Sequence, residues 1–201
     1  MGGMHSAQSL MYSVDFAEVE ALQHKGDWDT LTRVMIDAVH CLEKGGADLL
    51  VICTNPMHRV ANEIEAATAV PLLHIADAAG DAIRQAGLRA VGLLGTRFTM
   101  EGDFYRGRLA EKYSLKVLIP DEGQRENVHR VIYDELVQGK VLDPSRAAFV
   151  EIIADLQARG AEGVILGCTE IPLLVKQADV DIPLFDTTRI HAEAAVDWAL
   201  G

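Results

Sequence analysis

Cys53 and Cys168 sit in closely matched stretches of the chain, LLVICTN over 49–55 and VILGCTE over 164–170. In each, an apolar run ends in cysteine, threonine and a polar residue. A run of that kind reads as a buried strand, and in open α/β sheets ligands bind beyond the carboxyl ends of the strands. Two thiols at such ends would face one crevice. A helix N-terminus close by would bring a thiol toward usable thiolate. With one thiol on each side of a carbon, a proton can leave to one and return from the other. That exchange inverts a stereocentre and needs no cofactor. A single cysteine here would read as a small buried hydrophobe; the matched pair is what points to chemistry.

The third cysteine, Cys41, lies inside VMIDAVHCLEKGG, a helical pattern far from any strand end, and reads as structural. Spacings of 12 and 115 residues between the cysteines fit no zinc pattern. Histidines such as His74 and His191 show no ligand spacing, so no metal is expected. There is no GxGxxG or Walker A pattern, and GLLGT is too short for either.

The elements that must hold the two thiols can be read from the apolar pattern. Strands are expected at 7–14, 47–53, 71–75, 89–95, 115–120, 162–168 and 182–185. Helical spacing fills 27–44, 57–69, 75–86, 100–112, 124–138 and 144–159. DWDT (27–30) and DPSR (143–146) supply helix starts, and Gly45–Gly46, Gly87 and Gly160 supply stops. Such alternation implies parallel sheets with right-handed crossovers, an α/β fold.

The cysteine match belongs to a longer echo. VPLLHIADA (70–78) pairs with IPLFDTTRI (182–190), and the strand at 7–14 with that at 115–120. Two related half-units account for all three matches. The expected domains are 1–87 plus 182–201, and 88–181. The second half opens on AVGLLGTRFTME (90–101), which has no counterpart in the first. By symmetry, the first βα unit of the fold is expected to be missing at the N-terminus.

The chain of 201 residues carries 18 Lys and Arg against 30 Asp and Glu, a net charge of −12, with 49% apolar residues. This is the balance of a soluble globular protein. An acidic chain without a basic cluster argues against nucleic acid. No apolar stretch reaches the ~20 residues needed to span a membrane. MGGMHSAQSLMYS lacks the basic start and apolar core of a secretory signal, so a cytoplasmic location is expected.

Taken together, CTNPMH (53–58), LLHIADA (72–78), LLGTRFTM (93–100), GCTEIPLL (167–174) and FDTTRIHAEAAV (185–196) resemble the aspartate/glutamate racemase family, most closely its bacterial amino-acid racemase branch. The resemblance runs over essentially the whole chain. It implies two pseudo-symmetric, doubly wound (flavodoxin-like) parallel-sheet domains with the site between them. It further implies no cofactor, a small amino-acid substrate and a homodimer. Cys53 and Cys168 would be the catalytic acid/base pair. Thr54, Asn55 and Thr169 would bind the substrate's carboxylate or ammonium group, helped by Thr96 and Thr99. An acidic amino acid is the first expected substrate, with broader specificity open.

The sequence departs from this family in two places. Members commonly have Thr where Pro56 stands, and they begin with a strand and a turn resembling GGMSWEST. Gly2-Gly3-Met4 imitates that turn, but the HSAQ that follows aligns with the second strand. Three further residues have two readings each. His58 could tune the thiol or orient substrate, or simply start a helix. Glu170 could support Cys168 or be a first-turn acid favoured by the helix dipole. Lys140, in YDELVQGK, could pair a substrate carboxylate or be solvated. Alternatives to racemisation are a non-catalytic ligand-binding protein, or a related enzyme such as hydantoin racemase, maleate isomerase or arylmalonate decarboxylase. The last typically retains only one of the two cysteines.

Overall fold

The computed structural model describes residue 4 and residues 7–201. Gly2, Gly3, His5 and Ser6, on which the N-terminal alignment turns, lie outside the described residues. The first two helices are α1 (Phe16–Lys25) and α2 (Trp28–Lys44). Asp27 caps α2, its side chain accepting from the Thr30 N–H at 3.1 Å, and Gly45 ends it. The face of α2 carrying Leu31 and Val39 is buried against β1 (Leu50–Val51), the turn at Pro56–Val60 and α3 (Ala61–Ala67). These elements form the smaller core. Strand β2 (Leu72–Leu73) pairs parallel with β1, Leu50 opposite Leu72.

The larger core surrounds a four-stranded parallel sheet ordered β4-β3-β5-β6. Its strands are β3 (Ala90–Gly95), β4 (Lys116–Leu118), β5 (Gly163–Gly167) and β6 (Leu184–Asp186). The helices are α4 (Ile75–Gln85), α5 (Arg97–Glu101), α6 (Asp103–Tyr113), α7 (Glu122–Asp134), α8 (Asp143–Ala158), α9 (Ile171–Leu174) and α10 (Thr187–Leu200). β5 is buried along its whole length, as a strand covered on both faces must be. At the carboxyl ends, Gly95 stands opposite Gly167. A Cβ on Gly95 would lie 2.8 Å from the Gly167 carbonyl oxygen, and one on Gly167 would lie 2.9 Å from that of Leu94. Thr99 packs onto both glycines, so the two strand ends approach more closely than side chains would allow.

The α/β class and the parallel pairing match the sequence expectation; three details do not. Residues 7–14 form no strand. They are exposed and have no ladder partner among the described residues, and without one an apolar alternation makes no strand. Helix α1, read as no element from the sequence, is held by Asp15 at its start and by Gly26, at φ 71°, at its end. It buries only Val19 and Gln23, too weak a periodic signal to see. Finally, residues 182–201 are expected with the first unit, but β6 hydrogen-bonds to β5, with Leu166 opposite Asp186. Ile75, Ala76, Ile83, Ile182 and Phe185 all join the larger core. The free edge of β5 and the apolar face beside it recruit them. No helix among the described residues is long and apolar enough to cross a membrane.

Candidate active site

Cys168 follows β5 directly and is buried. Its Sγ–H donates to Glu170 Oε2 at 3.0 Å. Burial pushes this thiol well above its ordinary range, and the neighbouring Glu170 carboxylate pushes it further. Cys53 lies two residues beyond β1 and is exposed. Both cysteines line one cleft of about 470 Å³. Its polar wall includes Thr54, Asn55, Thr96, Thr169 and Glu170.

Asn55 is only 1% exposed. Its amide nitrogen donates to Thr187 Oγ1 at 3.3 Å, and that hydroxyl donates to the Leu166 carbonyl at 2.8 Å. This chain of bonds ties the Cys53 turn to the strand carrying Cys168. The Asn55 Oδ1 is buried without a hydrogen-bond partner among the described residues. An acceptor in that position carries a penalty unless something donates to it.

Thr96 precedes α5, and its hydroxyl is 3.4 Å from that of Thr99. Thr99 is fully buried under the two glycines and is not among the cleft-lining residues. His58 is also away from the cleft wall. One ring nitrogen accepts from the Ile75 N–H at 3.1 Å, and the other donates to the Thr54 carbonyl at 2.9 Å. Its role is therefore to brace the turn that carries Cys53 against the start of α4. Lys140 is exposed and lies off the cleft wall.

Two more histidines complete the brace. His74 caps α4 by accepting from the Ala76 N–H at 3.1 Å, and His191 donates to the Leu73 carbonyl at 2.8 Å. The rings of His74 and His191 lie 4.5 and 5.8 Å from that of His58. Burial holds all three below the usual histidine range, His74 at about 3. Among the described residues no group of three or more His, Cys, Asp or Glu side chains is arranged to hold a metal ion.

The sequence reading missed Tyr133, on α7, which lines the cleft. Its hydroxyl is pushed up to about 12, by burial first and then by charge on Cys168, Glu20 and Glu170. On the sequence it reads as one more core position of a helix. Tyr133 also belongs to an aromatic cluster with His24, Phe98 and His129. The His24 ring is 5.6 Å from Phe98 and 5.5 Å from Tyr133, which joins α1 to α5 and α7. Tyr12, Ser13 and Gln23, all uncharged, also line the cleft; the rest of the wall is apolar, with Val19, Met35, Ala38, Val39 and Ile132 among its residues.

Known proteins share this fold. The family model for Asp/Glu/hydantoin racemase matches residues 2–195. The broad specificity amino-acid racemase RacX of Bacillus subtilis is 25% identical over 174 residues, which is 87% of this chain and 74% of that protein. A Yersinia pestis structure provisionally assigned as an Asp/Glu racemase superposes with a TM-score of 0.93 at 53% identity, covering 100% of this chain and 87% of that one. An aspartate racemase homologue from Pyrococcus horikoshii gives 0.87 at 34% identity, with the same coverage of both chains. Glutamate racemase from Francisella tularensis, at 17% identity and a TM-score of 0.66 over 86% of this chain and 64% of that one, shares the fold. From its matched motifs, its fold and these relatives, the chain belongs to the Asp/Glu/hydantoin racemase family of isomerases.

Proposed function

We propose that the protein racemises a free amino acid by two-base proton transfer between Cys53 and Cys168, with no cofactor. The observation that carries this reading is that both cysteine-bearing turns, one from each sheet, line a single cleft. Cys168, buried and donating to Glu170, rests as the thiol. Cys53, exposed at the mouth of its turn, acts as the base. In one direction Cys53 takes the α-proton: the Cα–H bond breaks, an S–H bond forms, and the electron pair delocalises into the substrate carboxylate. Cys168 then delivers its proton to the opposite face of the planar carbanion. Proton exchange with solvent resets the pair.

The α-carboxylate is held by the hydroxyls of Thr54, Thr96 and Thr169 and by the backbone N–H groups of the two cysteine turns. The Oδ1 of Asn55 accepts a hydrogen bond from the substrate ammonium group. RacX carries a broad specificity name, so among relatives of this chain the substrate set is not confined to acidic amino acids.

The test is α-proton exchange in deuterium oxide together with chiral analysis of the product, over a panel of L-amino acids. Cys53→Ser and Cys168→Ser should each lower racemisation by roughly a hundredfold or more, the range of a lost general acid or base. Full activity in either variant overturns the two-thiol mechanism. Ligand binding without exchange in the unaltered protein overturns the racemase reading itself.

A further inference from the structure

We propose that the substrate's side chain is apolar and uncharged, of the size of methionine, leucine or phenylalanine. This rests on the racemase reading and names the substrate class of the same cleft. The argument is one of charge. None of the 18 Lys and Arg residues of the chain lines the cleft, and Glu170 is the one Asp or Glu on its wall. A second carboxylate, as in aspartate or glutamate, would leave water without a cation to meet it. The hydroxyls and N–H groups at the two cysteine turns are already committed to the α-carboxylate. An unpaired charge taken out of water carries a large penalty, and Glu170 adds repulsion to it.

A cationic side chain fares little better. The Glu170 carboxylate already accepts a hydrogen bond from the Cys168 thiol, which holds it at the cysteine end of the cleft. A lysine or arginine side chain would bring its charge against Val19, Met35, Ala38, Val39 and Leu42 instead. Those aliphatic and thioether walls, contributed by α1 and α2, complement an apolar chain, and the Gln23 among them carries no charge.

The experiment compares kcat/KM for α-proton exchange with L-methionine, L-leucine, L-phenylalanine, L-aspartate, L-glutamate, L-lysine and L-arginine. The best apolar substrate should exceed both acidic ones by roughly tenfold to a hundredfold, the discrimination expected from an unpaired buried charge. A preference for aspartate or glutamate, or for lysine or arginine, overturns the apolar class while leaving the racemase reading intact. No exchange with any member overturns the racemase reading and this inference with it. Met35→Arg, checked for folding by circular dichroism, should shift the glutamate-to-methionine ratio toward glutamate; an unchanged ratio in the folded variant also overturns it.

Discussion

At the scale of single residues, the contact between Cys168 and Glu170 decides how the two thiols differ. A thiol donating to a carboxylate inside the protein resists ionisation, because a thiolate there would face a second negative charge in poor solvent. Glu170→Gln keeps the shape and removes the charge. In that variant Cys168 should be alkylated by iodoacetamide at lower pH than in the unaltered protein, with peptide mapping to separate it from Cys53. Racemisation should fall about tenfold, since a more acidic thiol is present less often as the proton donor. An unchanged alkylation profile would remove Glu170 from this role. The same raised thiol pKa has a linked effect on stability. The folded chain holds the proton more tightly than the unfolded one, so this contribution is fully present below about pH 8.5 and is lost as pH rises beyond it.

At the scale of elements, the strand ends position the chemistry. Gly95 and Gly167 face each other without side chains, and Thr99 closes over both, which fixes where Thr96 and Cys168 project. Gly167→Ala would press a methyl group against a backbone carbonyl that cannot swing aside. We expect a stability loss of about 1–3 kcal/mol by chemical denaturation, with racemisation reduced further than unfolding explains because Cys168 itself is displaced. Equal stability and activity would show that the strand ends can part. These elements were also the most legible in the sequence. β3 and β5 are apolar throughout because both faces are covered, and their bounds were read nearly to the residue. The Cys-Thr turns were legible because each motif is local and occurs twice. What escaped depends on distant partners. Residues 7–14 alternate like a strand yet have no ladder to join. His58 takes its role from the backbone of Thr54 and Ile75, and Tyr133 gains meaning only once α7 lies against β3. Lys140, plausible as a cation by type, is exposed and does not line the cleft.

At the scale of the whole molecule, the buried histidines join parts that belong to different cores. His58 links the Cys53 turn to α4, His74 starts α4, and His191 ties α10 back to β2. All three are neutral in the folded chain at pH 7, and burial is the largest cause for each. The unfolded chain takes up protons near pH 6.5 and the folded chain does so only at lower pH. The contribution is therefore present above about 6.5 and is lost as pH falls toward the folded value, about 3 for His74. The urea midpoint should drop steadily between pH 7 and pH 4. His74→Asn, which keeps an N-cap acceptor while removing a titrating group, should flatten that slope relative to the unaltered protein. Parallel slopes for the two proteins would refute the assignment.

The two sheets differ in how firmly they hold their ends. β5 is laddered on both sides, with five register pairs to β3 alone, whereas among the described residues β1 pairs with β2, through two. Cys168 thus rides on an anvil and Cys53 on a spring. Slow amide exchange belongs to the first and faster opening to the second. When the cleft adjusts to guests of different girth, the displacement is absorbed on the Cys53 side, and the stiffness of a two-residue ladder sets the tolerance of the catalyst.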